Sequence, residues 1–173
     1  MKLMIRDVLT TILVAVVVFF ILQVTIQVSV INGSSMEPDL QDGERLIINK
    51  AVYHFAEPAR GDIIIFNPPE NHSSVPFIKR IIGLPGDTVE IKNGQVIVNG
   101  EALTEPYIEE APEYYMQKIT VPDNSYFVLG DNRNLSNDSH NGWTVLRSEI
   151  IGKAWVSIWP PSLWGLAPHY SLN

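Results

Sequence analysis

Cysteine is absent from the 173 residues, which removes disulfides, thiolate zinc sites and a cysteine nucleophile together. The redox compartment stays open on that test. Charge is sparse as well, with Asp, Glu, Lys and Arg at 18% and a net charge of -7. Without a basic excess there is nothing to meet a polyanionic backbone, so nucleic acid is not an expected partner. Of the four histidines, His54, His72, His140 and His169, none lies in a motif that specifies a catalytic triad. The nucleophile-elbow pattern is missing too, because Glu37 stands where Gly33-Ser34-Ser35 needs a second glycine. There is no internal repeat and no low-complexity segment.

What the chain does have is one long apolar run. Residues 8–36 carry no charge, and residues 12–22 read "ILVAVVVFFIL" without a polar side chain. A bilayer needs about 20 mostly apolar residues as a helix, so the run is long enough to span, with Gln23 and Gln27 near one interface. Lys2 and Arg6 precede it and acidic residues dominate the chain beyond it, which by the positive-inside rule puts the amino terminus in the cytoplasm and the remainder outside. A cleaved secretory signal also starts basic and turns apolar. Here the stretch is too long and no small-x-small pattern comes after it, so an uncleaved signal anchor is the expectation.

Beyond Gly33 the chain reads as a single, mostly antiparallel β domain. The runs "ERLIINKAV", "DIIIFN", "FIKRIIG", "VEIKNGQVIVNG", "SYFVLG" and "AWVSIW" are short, β-rich and separated by Gly, Pro, Asn and Asp. Asn93-Gly94 predicts a two-residue hairpin turn, which needs positive φ at both positions, and Asn99-Gly100 a second. Residues 104–122 are acidic and proline-interrupted and read as an excursion across the surface. Three of the four tryptophans lie in "WVSIWPPSLWGL", where core packing is favoured over a membrane interface.

The stretch "NGSSMEP" places paired serines directly after the apolar run. Ser34 with Glu37 matches a helix capping box, although Pro38 sits awkwardly in the first turn, and a turn serine is usually structural. A nucleophilic serine needs a base, and a lysine presents itself in "FIKRIIGLPGD". Strand alternation puts Lys79 on the face of Phe77 and Ile81, and Arg80 on that of Ile78 and Ile82. From residue type alone both read as solvated charges on an edge strand. Only the lysine can shed its proton when desolvated and serve as a general base.

The stretches "SSMEPDL", "RGDIIIF", "FIKRIIGLPGD" and "GDNRNLSNDSHNG", in this order after one amino-terminal apolar segment, resemble the successive boxes of type I signal peptidases. The resemblance implies a membrane-bound Ser-Lys endopeptidase that removes signal peptides from exported preproteins, without metal or cofactor. It divides the chain into a cytoplasmic tip and transmembrane anchor, residues 1–31, and an extracytoplasmic β-rich peptidase domain, residues 32–173. By the same resemblance Ser35 is the nucleophile, with Met36 beside it in the box, and Lys79 is the general base. Ser136 corresponds to the serine that orients the lysine, and Asp138 to the acid that supports the site. Arg60, Gly61 and Asp62 form a structural box. The implied partners are secretory preproteins and the lipid bilayer.

Three positions depart from the family pattern. Gly33 replaces a serine or threonine whose hydroxyl supplies a second oxyanion donor. Asp39 stands where threonine is common, and is expected to point away from the lysine. His140 replaces an arginine that pairs with the acid of its box, a pairing only an imidazolium can reproduce. Read alone, "GDNRNLSNDSH" is a polar loop bonded to its own backbone, and a calcium loop fails at Arg133 and Leu135. Two other functions fit parts of the pattern: a LexA-like self-cleaving protein, which would carry a DNA-binding domain in place of the apolar segment, and a non-enzymatic membrane-tethered β domain binding envelope partners.

Overall fold

A computed structural model describes residues 2–69 and 73–172, so His72 lies outside the described residues. Helix α1 spans Lys2–Thr25. Its β-branched residues do not prevent a helix, the one form in which an apolar run of this length pairs every backbone group within itself. The stretch Arg6–Thr25 is long and apolar enough to cross a bilayer, and none of it is buried against the rest of the chain. Its few polar side chains turn back on the helix: Thr10 and Thr11 each donate to the carbonyl four residues earlier, at 2.9 Å.

The helix stops at Thr25, short of the boundary expected at residue 31, and the chain continues as strand β1, Ile26–Val30. Gln27 and Ser29 alternate there with Val28 and Val30, and the backbone pairs antiparallel with β2, Arg45–Asn49. Alternation over five residues suits a strand, whereas the unbroken apolar run before it suits a spanning helix. Strands β3 (Ile63–Phe66), β4 (Phe77–Gly83), β5 (Thr88–Lys92) and β6 (Gln95–Val98) come next. Then come β7 (Glu101–Ala102), β8 (Met116–Thr120), β9 (Ser125–Leu129), β10 (Val145–Leu146), β11 (Ile150–Trp159) and β12 (Gly165–Leu166).

Two antiparallel sheets result. The larger runs β1-β2-β11-β3-β4-β9-β10, with β12 on β11; the smaller runs β7-β6-β5-β8. The fold is therefore mainly antiparallel β after one amino-terminal helix. Both expected turns form, with Asn93 and Asn99 at φ 53° and the glycine after each also at positive φ. One apolar cluster, including Met36, Leu40, Leu46, Ile48 and Ile63, lies under the β1–β2 connection. A second, with Ile64, Phe66, Ile81 and Val128, packs about β3, β4 and β9, and a third fills the smaller sheet.

Three expectations are corrected. Residues 104–122 are more than an excursion: Met116–Thr120 pairs with β5, and Tyr107 and Val121 are buried. Local proline content hid a strand whose partner lies far back in sequence. Trp155, Trp159 and Trp164 are not core residues, being 48%, 53% and 68% exposed. The cluster beneath β2 and β11 is filled by aliphatic side chains and Met36, Trp143 is the tryptophan that packs inside, against Phe66 and Val128, and these three indoles fall on outer positions. Finally, β4 is no edge strand; it lies between β3 and β9, and both its cations are buried.

Candidate active site

The connection from β1 to β2 is tied at several points. Ile31 and Glu44 pair through backbone at 2.8 Å, Gly33 N–H donates to Asp42 Oδ1 at 2.7 Å, and Leu40 N–H donates to the Met36 carbonyl at 2.9 Å. Gly33 has φ +93°, a conformation that suits glycine. Met36 and Leu40 are buried in the first cluster, so the residue before Met36 is held at a fixed depth. That residue is Ser35, half-buried, and its carbonyl accepts from Asn132 N–H at 3.1 Å.

Lys79 comes from the first half of β4. Its Nζ donates to Ser35 Oγ at 2.6 Å and to the Ile78 carbonyl at 2.9 Å, and lies 5.4 Å from the Phe77 ring centre. At 4% exposure the ammonium is almost without water, and this desolvation lowers its pKa from 10.5 to about 8; the charges of Asp138 and Asp131 oppose the shift. Ser35 and Lys79, 44 residues apart, thus form a short hydrogen-bonded pair whose amine titrates close to neutrality.

The neighbouring Arg80 points the other way, as alternation requires. It is fully buried, forms a two-bond fork with Asp131 at 2.8 and 2.7 Å, and also reaches Asp39 Oδ2 at 2.9 Å. Asp39 therefore engages the arginine on the face opposite Lys79. Burial raises the Asp39 carboxyl, against the pull of Arg80, and pushes Asp131 up to about 6. The guanidinium carbon sits 4.2 Å from the Tyr107 ring centre and 5.0 Å from that of Tyr170. Carbonyls of Gly61 and Pro168 accept its remaining bonds.

The polar loop after β9 supplies the other side of the site. Asp138 is buried and accepts from Gly130 N–H at 2.9 Å, His140 N–H at 3.1 Å and the His140 ring at 2.7 Å. His140 thus occupies the pairing position expected of it. Ser139 Oγ accepts from Val128 N–H, tying the loop to β9. Ser136 Oγ is buried beside Gly130 and the Ser35 carbonyl, but has no hydrogen-bond partner among the described residues. Sequence placed it on Lys79; the structure brings it to the site without that bond. A Cβ on Gly130 would collide with both Ser136 Oγ and the Ser35 carbonyl, so only glycine permits this approach.

In the arginine-glycine-aspartate box, Arg60 reaches the Ile82 carbonyl and Asp87, while Asp62 accepts from Tyr53, Ala59 and Lys153. A side chain at Gly61 would strike the Tyr170 carbonyl. His169 bonds Ile63 and Ala154, away from the serine. Sequence reading missed Asp131 as the partner of Arg80 and the closing role of residues 168–170. Alternation signalled that Arg80 faces away from Lys79, but nothing local identified what it meets.

A groove of about 720 Å³ runs from the pair, lined by Val28, Val30, Ile31, Ile65, Val75 and Phe77 among others. Both its backbone walls are open. β1 ends the larger sheet, and the register of β4 with β9 begins at Arg80, so Phe77, Ile78 and Lys79 have no described strand on that side.

A family model described as "Signal peptidase, peptidase S26" matches residues 4–159. The Synechocystis sp. protein named "Probable signal peptidase I-2" is 49% identical over 140 residues, 79% of this chain and 64% of that protein. "Signal peptidase I" of Leptolyngbya laminosa is 49% identical over 136 residues, covering 75% of this chain and 67% of the relative. "Signal peptidase I S" of Bacillus subtilis is 40% identical over 143 residues, 76% of each chain. The match thus spans just under two thirds of the length of the Synechocystis protein.

Proposed function

The chain belongs to the signal peptidase, peptidase S26, family, and on that premise we propose that it is a membrane-anchored serine endopeptidase that cleaves signal peptides from exported preproteins with Ser35 and Lys79. The observation that carries the reading is the 2.6 Å contact between Lys79 Nζ and Ser35 Oγ, made by an amine already pushed down to about 8.

The chemistry stems from that contact. Neutral Lys79 takes the Ser35 proton as Oγ attacks the scissile carbonyl, and the backbone N–H of Ser35 meets the developing oxyanion. The same proton passes to the leaving amine, giving an acyl-enzyme on Ser35 and a free mature amino terminus. Lys79 then activates a water that releases the acid and restores the serine. Gly33 offers no hydroxyl for the oxyanion, and its N–H is engaged by Asp42, so a second donor must come from elsewhere. Asp138 and Ser136 act as supports: the first fixes the loop through Gly130 and His140, and the second stands beside Ser35 with a hydroxyl that has no partner among the described residues.

The open groove supports an extended substrate. A peptide lying between β1 and residues 77–79 pairs its backbone on both sides, as added strands do, and its alternate side chains face the apolar lining. Helix α1 supports anchoring in the bilayer, with the amino terminus cytoplasmic by the positions of Lys2 and Arg6. The exposed Trp155, Trp159 and Trp164 suit the lipid interface better than open water. Incubating the full chain in detergent with a preprotein carrying an amino-terminal signal segment should give one mature product, and Ser35→Ala should give none. Equal product from Ser35→Ala would remove Ser35 from the mechanism.

A further inference from the structure

Where α1 ends, the surface is unlike the rest of this acidic chain. Lys50, just after β2, returns to the helix: its N–H donates to the Thr25 carbonyl at 2.8 Å and its Nζ faces the Gln23 carbonyl at 3.4 Å. Together with His54 and Arg147 it lines a pocket of about 280 Å³ that also touches Val24, in the last turn of the span. Among the described residues no acidic side chain lines this pocket. Arg147 is oriented by the Tyr53 carbonyl and by Glu57, whose side chain is 82% exposed and so screens it weakly. The His54 ring adds an N–H donor, and beside it Phe55 is 90% exposed.

A second crevice, of about 520 Å³, meets the first at Lys50. It runs along the helix and β1 between Phe19, Leu22, Ile26 and Val28, and again has no acidic lining among the described residues. One lysine therefore joins a pocket with three basic side chains at the end of the span to a crevice beside the span whose walls are mainly Phe19, Leu22, Ile26 and Val28, with Gln23 and Gln27 among them. Two adjoining cavities, one with the basic groups and one with the larger apolar wall, fit an amphiphile with an anionic head and a hydrocarbon tail.

We propose that Lys50, His54 and Arg147 form a binding site for the phosphate headgroup of an anionic phospholipid, whose acyl chain lies in the crevice between α1 and β1. The inference rests on the reading that α1 spans the bilayer. Charge complementarity sets the head, and continuity with the span sets the tail. Such a lipid fixes the angle at which the β domain leaves the membrane. Gln27 and Val28 line both the acyl crevice and the substrate groove, so the lipid also forms part of the wall along which a substrate enters.

The test uses the full chain in detergent micelles, with bound lipid counted by native mass spectrometry during titration with phosphatidylglycerol or phosphatidylcholine of identical acyl chains. Phosphatidylglycerol should be retained preferentially. Lys50→Gln should weaken that retention about fivefold, and Lys50→Gln combined with Arg147→Gln further, since each interfacial cation contributes about that factor. The single variant leaves the Arg147 bonds intact, so it does not depend on the fate of the double one. Lys92→Gln combined with Lys118→Gln removes two cations from the smaller sheet and should leave retention unchanged. No preference for phosphatidylglycerol, or an equal loss in the smaller-sheet variant, overturns the site. Displacement of the lipid by inorganic phosphate alone at comparable concentration would identify a free-phosphate site and overturn the lipid assignment. Flotation with phosphatidylcholine vesicles separates the two levels: a chain that fails to float refutes the spanning helix itself, whereas one that floats without lipid preference refutes only the site.

Discussion

Burial weakens an ammonium's hold on its proton because the charged form loses its hydration, whereas a guanidinium keeps its proton under the same treatment and must be neutralised by partners. Lys79 and Arg80 are adjacent and both buried, and they show the two outcomes. Among the described residues Lys79 has no carboxylate bonded to it, and it falls to about 8; Arg80 has Asp131 and Asp39. Peptidase activity should therefore rise with pH about tenfold per unit below 8 and level off above it. Lys79→Arg should lose a thousandfold or more, roughly the worth of the general base, despite keeping the charge. The same shift has a stability sign. The folded value lies below the ordinary 10.5, so between about 8 and 10.5 the unfolded chain binds more protons and stability rises with pH. Below that window the folded protein carries the full penalty, and Lys79→Met should unfold later at pH 7, by about 3 kcal/mol at most, with the gap closing towards pH 10.5. Thermal unfolding in detergent across this range measures it; a constant gap would exclude the buried amine as its cause. Arg80→Lys, which looks conservative in sequence, should instead lower stability by about 2 kcal/mol or more, because an ammonium cannot reproduce the fork to Asp131 or the planar packing against the Tyr107 and Tyr170 rings.

At the scale of elements, the site is a meeting of the β1–β2 connection, the first half of β4 and the loop after β9. The closest approach falls at Gly130, where any Cβ meets the Ser35 carbonyl and Ser136 Oγ. Gly130→Ala should cost about 1–3 kcal/mol as overpacking and should reduce kcat by displacing Ser35 from Lys79. A variant with wild-type turnover and stability would show that the three segments are not held this tightly. The strands of the β domain were legible in sequence because alternation and Asn-Gly turns are local signals. Ser35 and Lys79 were legible only through the order of four boxes, since nothing about a turn serine or a strand lysine by itself predicts their contact. The Arg80 cage was not legible: it draws Asp39, Asp131, Gly61 and Pro168 from four separated stretches, and only tertiary packing assembles them. Strand β8 escaped for a related reason, its hydrogen bonds lying with β5 across the intervening β6 and β7.

At the scale of the whole molecule, the position of Ser35 is set by the short distance in sequence between the end of α1 and the turn that carries it. Helix α1 ends at Thr25 and β1 runs only to Val30, so in the proposed function Ser35 stays near the level at which a substrate's apolar segment leaves the bilayer. Exposed Val28, Val30, Trp155 and Trp159 lie on or beside the strands that carry the chain away from α1, which suits a domain resting on the lipid surface. That arrangement works on secreted chains only if the β domain lies outside, with Lys2 and Arg6 holding the amino terminus in the cytoplasm. Glu109 and Glu110, in the acidic segment before β8, are exposed and provide a reporter of sidedness. Glutamyl-specific protease added to intact cells lacking an outer barrier should cut there and leave a membrane-held amino-terminal fragment. If the segment is protected until the membrane is opened, the domain lies in the cytoplasm, and the exported preproteins cease to be its substrates.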